Sequence, residues 1–330
     1  MTGTHATQEN PRAETVKISY LGIPGSYSHQ ACIEYFPGGR YEGLKKFGSA
    51  LKAVSEGDTD FAIIPIENSS AGRVAEVYSL LPSVGLHIVG EYLLPIHHCL
   101  AVPKSALRGR LPREMDGPEA IAWKNSPLTD KEKAAALATI KEIRSHSQAL
   151  MQCAGFIEKH LPQAITEADF DTATAAQFIS NREDCKIAAI ASKHAAAIYN
   201  LLTLGESIED DVHNMTRFLI FSREALDPAK IKGPALTTIL FQTNHKPGAL
   251  LSALKAFADN KVNLTKLETY MVNQDRPYPT FYVDVGASMA HPNMKAALEE
   301  FKKYTNNYRV LGCYPASAVR GDRNSFLPVE

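Results

Sequence analysis

The sequence predicts an α/β protein in which a two-lobed region precedes a small βαββαβ domain. Apolar runs typical of buried strands alternate with helical segments between Val16 and Phe221, and this order favours parallel sheets. A charged stretch between Pro103 and Lys141 interrupts the alternation. After a short linker at Pro228–Gly233, the remaining segments have the order of a ferredoxin-like split unit. We therefore expect two α/β lobes with a ligand cleft between them, followed by a separate domain.

Composition sets the limits of this prediction. The 330 residues suffice for two or three domains, and 45% of them are hydrophobic. The net charge of −1 argues against nucleic acid or an anionic membrane as a partner. The five cysteines are odd in number and scattered, which indicates a reducing cytoplasm and no zinc site. The N-terminal segment lacks the apolar core of a signal peptide, and no apolar run in the sequence is long enough to span a bilayer.

The first lobe is predicted from two strand-and-helix units. A strand at Val16–Ile23 leads through a glycine turn into a helix that ends near Phe36. The next helix has Ser49 as its N-cap and Gly57 beyond its end. The strands that follow are predicted at Phe61–Ile66, Leu86–Val89 and Leu93–Val102.

The second lobe resumes the alternation after the charged segment. Its helices are predicted at Asp130–Ile143, Ser147–His160, Thr172–Ile179 and Ser192–Leu202. Its strands are predicted near Ala164–Thr166 and at Lys186–Ala191, after which Thr216–Phe221 returns to the first lobe. Residues 105–133 are expected to be a surface elaboration of this lobe, with no function assigned.

The last six segments complete the βαββαβ unit. The strands are predicted at Leu236–Gln242, Val262–Val272, Tyr278–Val285 and Tyr308–Cys313. The helices are predicted at Pro247–Ala258, where the proline lies in the first turn, and at Asn293–Tyr304.

Two short strings place polar groups at the ends of buried strands. Pro65–Ser70 follows one strand, and Asn214–Phe218 opens another. In open α/β sheets ligands bind outside the carboxyl ends of strands. Glu67, Asn68, Ser69 and Ser70 also precede an apolar helical pattern, so this stretch either binds a carboxylate through backbone N–H groups or only caps the helix. Ser26 and Ser28 lie in a glycine turn that could also hold an anion.

These strings, taken together, resemble the prephenate dehydratase family with a C-terminal ACT regulatory domain. The resemblance covers about Lys17 to Pro315 and depends on four motifs in order. They are Pro65-Ile66-Glu67-Asn68-Ser69, Ser145-His146 with Gln148-Ala149-Leu150, Asn214 with Thr216-Arg217-Phe218, and Pro247-Gly248-Ala249-Leu250-Leu251. The family's catalytic fold is similar to the type II periplasmic binding proteins.

The resemblance also implies domain boundaries. Residues 1–15 are expected to be disordered, 16–225 to form the catalytic region, 226–234 a linker, 235–316 the ACT domain and 317–330 a tail. Within the catalytic region, lobe 1 is expected at about 16–102 and 203–225, and lobe 2 at about 103–202. The chain ahead of Val16 is too short for the helices of a chorismate mutase, so we expect a monofunctional enzyme.

The activity implied is the decarboxylating dehydration of prephenate to phenylpyruvate in phenylalanine biosynthesis, without a cofactor or metal. Motif matching places the family's essential threonine at Thr216, hydrogen-bonded to the leaving oxygen. A free alcohol is a weak acid, so Thr216 either donates the proton as the oxygen departs or only orients it. The expected substrate-binding residues are Ser26, Ser28, Glu67, Asn68, Ser69, Ser70, His146, Thr172, Asn214, Arg217 and Phe218.

Three of these assignments have alternatives at the sequence level. Arg217 either anchors the carboxylate of the pyruvyl arm or forms an interlobe salt bridge. Thr172 either faces the cleft or caps a helix. His146 either acts as an acid or lines the cleft, and lining is favoured.

The ACT resemblance implies that L-phenylalanine binds as a feedback effector. The expected effector residues are Asn244, Pro247, Gly248, Ala249, Leu250, Leu251 and Glu268. The companion motif of such modules reads Glu-Ser-Arg-Pro, whereas this chain has Glu268-Thr269-Tyr270-Met271. Such modules pair symmetrically, so a homodimer or a dimer of dimers is expected.

Two other functions stay open. Arogenate dehydratase is the first, because Gly22–Gly25 and Pro95–Cys99 are similar to plant enzymes of that kind; a carboxylate such as Glu67 facing the substrate arm would favour it. The second is a noncatalytic two-lobed amino acid sensor, which would tolerate the loss of Thr216.

Overall fold

The computed structural model describes residues 15–109, 117–244, 246–271 and 279–321. The described residues leave out most of the N-terminal segment predicted to be disordered and most of the C-terminal tail. They also leave out residues 110–116 of the predicted surface elaboration. Within it the strands form three sheets, one in each lobe and one in the C-terminal domain. The helices that it describes are too short or too polar to cross a bilayer.

The first lobe is built on a mixed sheet. Its elements are β1 (Lys17–Leu21), α1 (Tyr27–Tyr35), β2 (Arg40–Leu44), α2 (Phe47–Glu56), β3 (Phe61–Asn68), β4 (Gly72–Arg73), α3 (Ala75–Leu80) and β5 (His87–Pro95). β1 is parallel to both β2 and β3, as the βαβ order predicted.

The second lobe is inserted between β5 and the last strand of the first. Its strands are β6 (Cys99–Pro103), β7 (Glu142–His146), β8 (Ile165–Asp169), β9 (Ile187–Ala191) and β10 (Leu201–Glu206), in the spatial order β10-β6-β9-β7-β8. Its helices are α4 (Lys104–Arg108), α5 (Gly117–Asn125), α6 (Asp130–Leu137), α7 (Ser147–Gln152), α8 (Ala154–His160), α9 (Thr172–Ile179) and α10 (Lys193–Ile198).

The chain then returns to the first lobe as β11 (Met215–Ser222), which lies between β3 and β5 and is antiparallel to both. The first sheet has the order β2-β1-β3-β11-β5, with β4 paired to β3. The interior strand β11 therefore comes from the far end of the catalytic region.

The C-terminal domain has the predicted βαββαβ order of an ACT domain. It consists of β12 (Ala235–Thr243), α11 (Ala249–Asp259), β13 (Leu264–Met271), β14 (Pro279–Val285), α12 (Pro292–Phe301) and β15 (Thr305–Pro315), with short 3-10 turns at Pro228–Lys230, Lys302–Tyr304 and Ala318–Gly321. The sheet has the order β13-β14-β12-β15.

The C-terminal domain shares a hydrophobic core with the first lobe. Leu236, Tyr282 and Leu311 pack in the same buried cluster as Ile64 and Leu219. A Cβ atom at Gly312 would lie 2.0 Å from the carbonyl oxygen of Ile88. Only glycine therefore allows β15 to approach β5 this closely.

Several predicted boundaries were wrong. Ser49 is inside α2, and the N-cap position is Lys46, without a side-chain hydrogen bond. The segment Leu93–Val102 is interrupted between β5 and β6, where the chain crosses between lobes. The predicted helix Ser147–His160 is divided at Cys153 into α7 and α8.

Besides the two-residue strand β4, three strands were also hidden from the sequence pattern. β2 is a largely polar edge strand, so it lacks the alternation by which strands are recognised. β7 and β10 were assigned in part to the ends of predicted helices. β6 and β10 pair with each other in the second sheet, so residues 99–102 and 203–206 belong to the second lobe rather than the first.

His29 and His194 form a contact between the lobes. His29 lies on α1 and His194 on α10, with Nδ1 and Nε2 3.2 Å apart. His29 Nδ1 also accepts a hydrogen bond from Gly25 N at 3.1 Å. Burial, together with the nearby His194, lowers the pKa of His29 from 6.5 to about 4. The contact therefore requires that His29 Nδ1 carry no proton.

This pKa shift predicts that stability declines in acid. The unfolded chain binds a proton near pH 6.5, whereas folded His29 does so only near pH 4. The contribution is thus complete above about pH 6.5 and is lost as the pH falls toward about 4. The urea midpoint of His29→Gln should depend less on pH across this window than that of the unchanged protein. His160→Gln, at an exposed site, should keep the original pH dependence; equal slopes for all three proteins would contradict the assignment.

Candidate active site

A cleft of about 490 Å³ lies between the lobes. It is lined by the start of α1, the end of β3, β4, α7, the start of α9, and β11. The structure brings seven of the predicted site residues to this cleft: Ser26, Ser28, Asn68, His146, Thr172, Thr216 and Phe218.

Thr216 is held in the cleft by a neighbouring amide. Thr216 and Asn68 are opposite each other on the paired strands β11 and β3. Asn68 Nδ2 donates to Thr216 Oγ1 at 2.9 Å and to Asn214 Oδ1 at 2.8 Å. Because Thr216 Oγ1 accepts the amide hydrogen, its own hydroxyl proton can be donated to a ligand.

A polar network continues from this pair across the crossing segments. Asn214 Nδ2 donates to Gln152 Oε1 at 3.0 Å, and His98 Nε2 lies 3.0 Å from the same oxygen. Since an amide oxygen only accepts, His98 Nε2 carries the proton. His98 Nδ1 lies 2.8 Å from the Tyr27 hydroxyl, which also donates to the His97 carbonyl oxygen at 2.8 Å. Burial lowers the pKa of His98 below 6.5. The network therefore connects Thr216 to both lobes through neutral groups.

Sequence reasoning missed Gln152, His98 and Tyr27, which also line the cleft. Gln152 lies one helical turn after Gln148, two residues beyond the Ser145–Leu150 motif. An amide at that spacing on the same helix face is a signal that could have found it. No comparable signal marked His98, because its role depends on the position of the crossing segment.

The structure distinguishes caps from cleft residues at three helix starts. Asp171 caps α9 by accepting from Thr174 N at 2.6 Å, and Thr172 lines the cleft. His146 caps α7, because its Nδ1 accepts from Gln148 N at 3.3 Å, and it also lines the cleft. Ser26 caps α1 by accepting from His29 N at 3.2 Å. Its turn requires Gly25, whose φ of +94° is a left-handed conformation.

Other predicted substrate residues lie outside the cleft. Asn214 is 1% exposed and positions Asn68. Ser69 accepts from Met215 N at 2.9 Å, and Ser70 contacts Asp211. The helix expected directly after them begins only at Ala75, because β4 intervenes as the second strand of a hairpin. The prediction of a helix start at Glu67–Ser70 was therefore wrong.

Arg217 and Glu67 were predicted to bind substrate, and the structure places both elsewhere. Successive residues of a strand point to opposite faces, so Arg217 points away from the cleft that Thr216 lines. Its guanidinium is fully buried and contacts Glu91 at 2.8 Å, Glu67 at 3.1 Å and Asp284 at 2.6 Å. Neither proposed role of Arg217 is correct, since it joins the first lobe to the C-terminal domain.

We call this group the Arg217 cluster. It consists of the cations Arg217, Lys266 and Arg320 and the carboxylates Glu67, Glu91 and Asp284. Their charges balance, and Tyr314 and Thr238 supply further hydrogen bonds. Burial alone would raise the pKa of Glu91, but the guanidinium groups of Arg217 and Arg320 lower it overall. Glu91 is therefore ionised although it is buried.

The predicted effector loop forms a separate surface depression. It has a volume of about 550 Å³ and is lined by Asn244, Pro247, Gly248, Ala249, Leu250 and Leu251, with Thr243 and Lys246. Glu268 is not part of this depression. It lies on β13 and pairs with Arg73 at 3.3 Å and Lys266 at 3.1 Å. Within one chain, Glu268 therefore belongs to the contact with the first lobe.

Comparison with known proteins assigns the family. The model of the prephenate dehydratase family matches residues 18–226. The chain belongs to the prephenate dehydratase family. The enzymes of this family are hydro-lyases, and the cleft between the lobes lies within the matched residues.

Two curated relatives match nearly the whole chain. An arogenate dehydratase/prephenate dehydratase of Arabidopsis thaliana is 37% identical over 92% of this chain and 73% of its own length. A bifunctional N-acyl-homoserine lactone acylase/prephenate dehydratase of Komagataeibacter europaeus is 34% identical over 92% of this chain and 97% of its own.

A solved structure is similar over both the catalytic region and the C-terminal domain. It is a prephenate dehydratase from Arthrobacter aurescens in complex with L-Phe, with a TM-score of 0.75. Its sequence is 25% identical, and the match covers 91% of this chain and 90% of that one.

Removing Arg217 should destabilise the protein strongly. Arg217→Met leaves the carboxylates of Glu67, Glu91 and Asp284 with less compensation in a buried site, and such losses cost about 3–5 kcal/mol. We expect a loss of this size in urea unfolding. Arg40→Met, at an exposed arginine, should change the free energy of unfolding by less than about 0.5 kcal/mol. A loss below about 1 kcal/mol for Arg217→Met would show that the cluster is not required.

Proposed function

We propose that the protein converts prephenate to phenylpyruvate, carbon dioxide and water. The ring carboxylate leaves as carbon dioxide, its bonding electrons enter the ring, and the ring hydroxyl departs with one added proton. The observation that supports this most is the Thr216 hydroxyl, whose oxygen accepts from Asn68 and whose proton can face the cleft. It would donate to the departing oxygen, where negative charge develops.

The orientation of Arg217 away from the cleft is compatible with this reaction. A carboxylate that leaves as neutral carbon dioxide loses charge in the transition state. A guanidinium clamped on it would stabilise the substrate more than the transition state and would slow the reaction. The neutral side chains of Ser26, Thr172 and Phe218 that line the cleft avoid this penalty.

Glu67, the carboxylate expected to mark an arogenate enzyme, does not line the cleft, whereas Glu76 and Asp171 do. Arogenate carries an ammonium in place of the keto oxygen, and a facing carboxylate would select for it. Glu67 instead pairs with Arg217 and Lys266 in the Arg217 cluster. The residue expected to mark an arogenate enzyme is therefore engaged outside the cleft.

We infer that L-phenylalanine binds the depression formed by the effector loop. The helix α11 begins after Gly248 without a side-chain cap, so its first backbone N–H groups can receive a carboxylate. The Arthrobacter relative is described in complex with L-Phe. Pairing of two such domains would give a homodimer or a dimer of dimers in a cytoplasmic enzyme.

A second candidate activity is the cleavage of N-acyl-homoserine lactones. The Komagataeibacter relative is described as bifunctional and matches over 97% of its length. The apolar cleft residues Phe47, Ile96 and Phe218 offer a surface for an acyl chain.

Replacement of Thr216 tests the dehydratase. Thr216→Ala should lower kcat with prephenate by about a hundredfold or more, since it removes a donor to the departing oxygen. Thr216→Ser should keep more activity because it retains the hydroxyl. Thr166→Ala, at an exposed site on β8, serves as the matched control. The measurement is phenylpyruvate formation followed by absorbance.

The same assay separates the alternatives. Higher turnover of arogenate than prephenate would identify an arogenate dehydratase, and release of homoserine lactone from its N-acyl form would support the second activity. If neither cyclohexadiene reacts but phenylalanine binds equally to the Thr216→Ala variant, the protein is a sensor.

The effector proposal predicts that Asn244→Ala weakens phenylalanine binding. Loss of one hydrogen bond to a charged ligand should lower the affinity by about tenfold or more. Titration calorimetry with L-phenylalanine measures this effect. Asn181→Ala, exposed on the second lobe, should bind normally; normal binding by both variants would place the effector elsewhere.

A further inference from the structure

Asp171 presents a carboxylate oxygen to the active-site cleft. It is the N-cap of α9, and its Oδ1 accepts from Thr174 N at 2.6 Å. The other oxygen, Oδ2, accepts no hydrogen bond within the described part of the chain, and it is not one of the buried polar atoms without a partner. Since Asp171 lines the cleft, Oδ2 is accessible from it. One oxygen of the carboxylate therefore caps the helix, and the other is available to a ligand.

Asp171 Oδ2 reaches across the cleft to the glycine turn of the first lobe. A Cβ atom added at Gly22 would lie 3.2 Å from Asp171 Oδ2 and 3.1 Å from Ser26 Oγ. Ser26 Oγ accepts from His29 N, so its own proton can be donated to a ligand. Because Gly22 has no side chain, the space between a carboxylate acceptor and a hydroxyl donor stays open.

The cleft lining offers Asp171 no cation. The lining contains a second carboxylate, that of Glu76. Arg73 also belongs to the lining, but its guanidinium donates to the Thr269 carbonyl oxygen at 2.7 Å and lies 3.3 Å from Glu268. That side chain is therefore directed at the C-terminal domain. No other lysine or arginine among the described residues lines the cleft, so a cationic group of the ligand is what would offset the charge of Asp171.

The arms of the two candidate substrates differ in the group that Asp171 would meet. Both arms end in a carboxylate, but prephenate carries a keto oxygen where arogenate carries an ammonium. A keto oxygen only accepts hydrogen bonds, so it cannot bond to Asp171 Oδ2, whereas an ammonium only donates them. A hydrogen bond between charged partners is also roughly twice as strong as one between neutral groups. The geometry of the cleft therefore favours an arm with an ammonium.

We propose that Asp171 binds the ammonium of arogenate, which gives the same active site a second substrate. The Ser26 hydroxyl donates to the neighbouring arm carboxylate, so the two side chains together recognise the amino acid end of the substrate. This inference rests on the proposed function and names a specificity residue of that site. As with prephenate, the ring carboxylate leaves as carbon dioxide and the hydroxyl departs with one added proton as water, and the product is L-phenylalanine.

The role of Asp171 is in binding rather than in the chemical step. The ammonium keeps its charge throughout the reaction, and it lies on the arm rather than on the ring that loses carbon dioxide. An anchor there stabilises substrate and transition state equally, so it changes KM rather than kcat. This distinguishes Asp171 from Thr216, whose loss is expected to lower kcat.

The test removes the charge of Asp171 and keeps its cap. Asp171→Asn retains an N-cap side chain of similar quality. KM for arogenate should rise about ten- to a hundredfold, the effect of losing a hydrogen bond between charged groups, with kcat changed less than about threefold. KM for prephenate should stay the same or fall by up to about fivefold, because a repulsion is removed. The ratio of kcat/KM for arogenate to kcat/KM for prephenate should therefore fall.

Two further variants locate the effect. Asp227→Asn makes the same change at an exposed N-cap outside the cleft and should leave the ratio unchanged. Glu76→Gln removes the other carboxylate of the lining and should change the ratio less than about threefold. A ratio for Asp171→Asn within about twofold of the unchanged protein, or a larger shift in Glu76→Gln, would overturn the proposal. An unchanged protein that converts prephenate but not arogenate would overturn it as well.

Two unreactive ligands separate this inference from the proposed function. L-phenylalanine carries the arm of arogenate and phenylpyruvate that of prephenate, and neither needs turnover. Calorimetry is done with Asn244→Ala present, so that the effector depression is weakened. Asp171→Asn should then lower the affinity of L-phenylalanine about tenfold without lowering that of phenylpyruvate.

The two failures give different results. If these affinities change as expected while prephenate is not converted, the role of Asp171 stands and the dehydratase proposal fails. If prephenate is converted but Asp171→Asn changes neither affinity, the role of Asp171 fails and the dehydratase stands. Thermal unfolding of each variant confirms that the fold is intact.

Discussion

The ion pairs of Arg217 determine how the catalytic region and the C-terminal domain fit together. Arg217 follows Thr216 on β11, and the alternation of a strand sends the two side chains to opposite faces. One face presents the hydroxyl that the reaction needs, and the other binds Asp284 of the C-terminal domain. The same strand therefore positions catalysis and domain contact together. A charge buried this deeply is tolerable only because three carboxylates surround it.

The general fold could be predicted because its apolar pattern is strong. Helix α9 begins and ends where the spacing predicted, and the βαββαβ order of the C-terminal domain is confirmed. β2 and β7 were missed because polar or mixed sequences form strands when neighbouring strands supply the pairing. Secondary-structure propensity is a property of a single segment. Whether that segment forms a strand also depends on the neighbouring strands that pair with it.

The site could be predicted in part. Residues with short polar side chains at strand and helix ends, such as Asn68, Thr172 and Thr216, do reach the cleft. Arg217 and Glu67 do not, and strand alternation could have excluded them once Thr216 and Asn68 were assigned to the cleft. Their actual partner Asp284 is 67 residues beyond Arg217 along the chain, so no local pattern could have indicated it.

The insertion of the second lobe fixes the order in which the sheets become complete during synthesis. Once Glu206 has left the ribosome, all five strands of the second sheet are present. The first sheet still lacks β11, and β3 and β5 have no strand between them. Until that strand emerges, the nascent chain exposes two open edges on the half of the molecule made earliest. A chaperone that shields unpaired edges would find its target there.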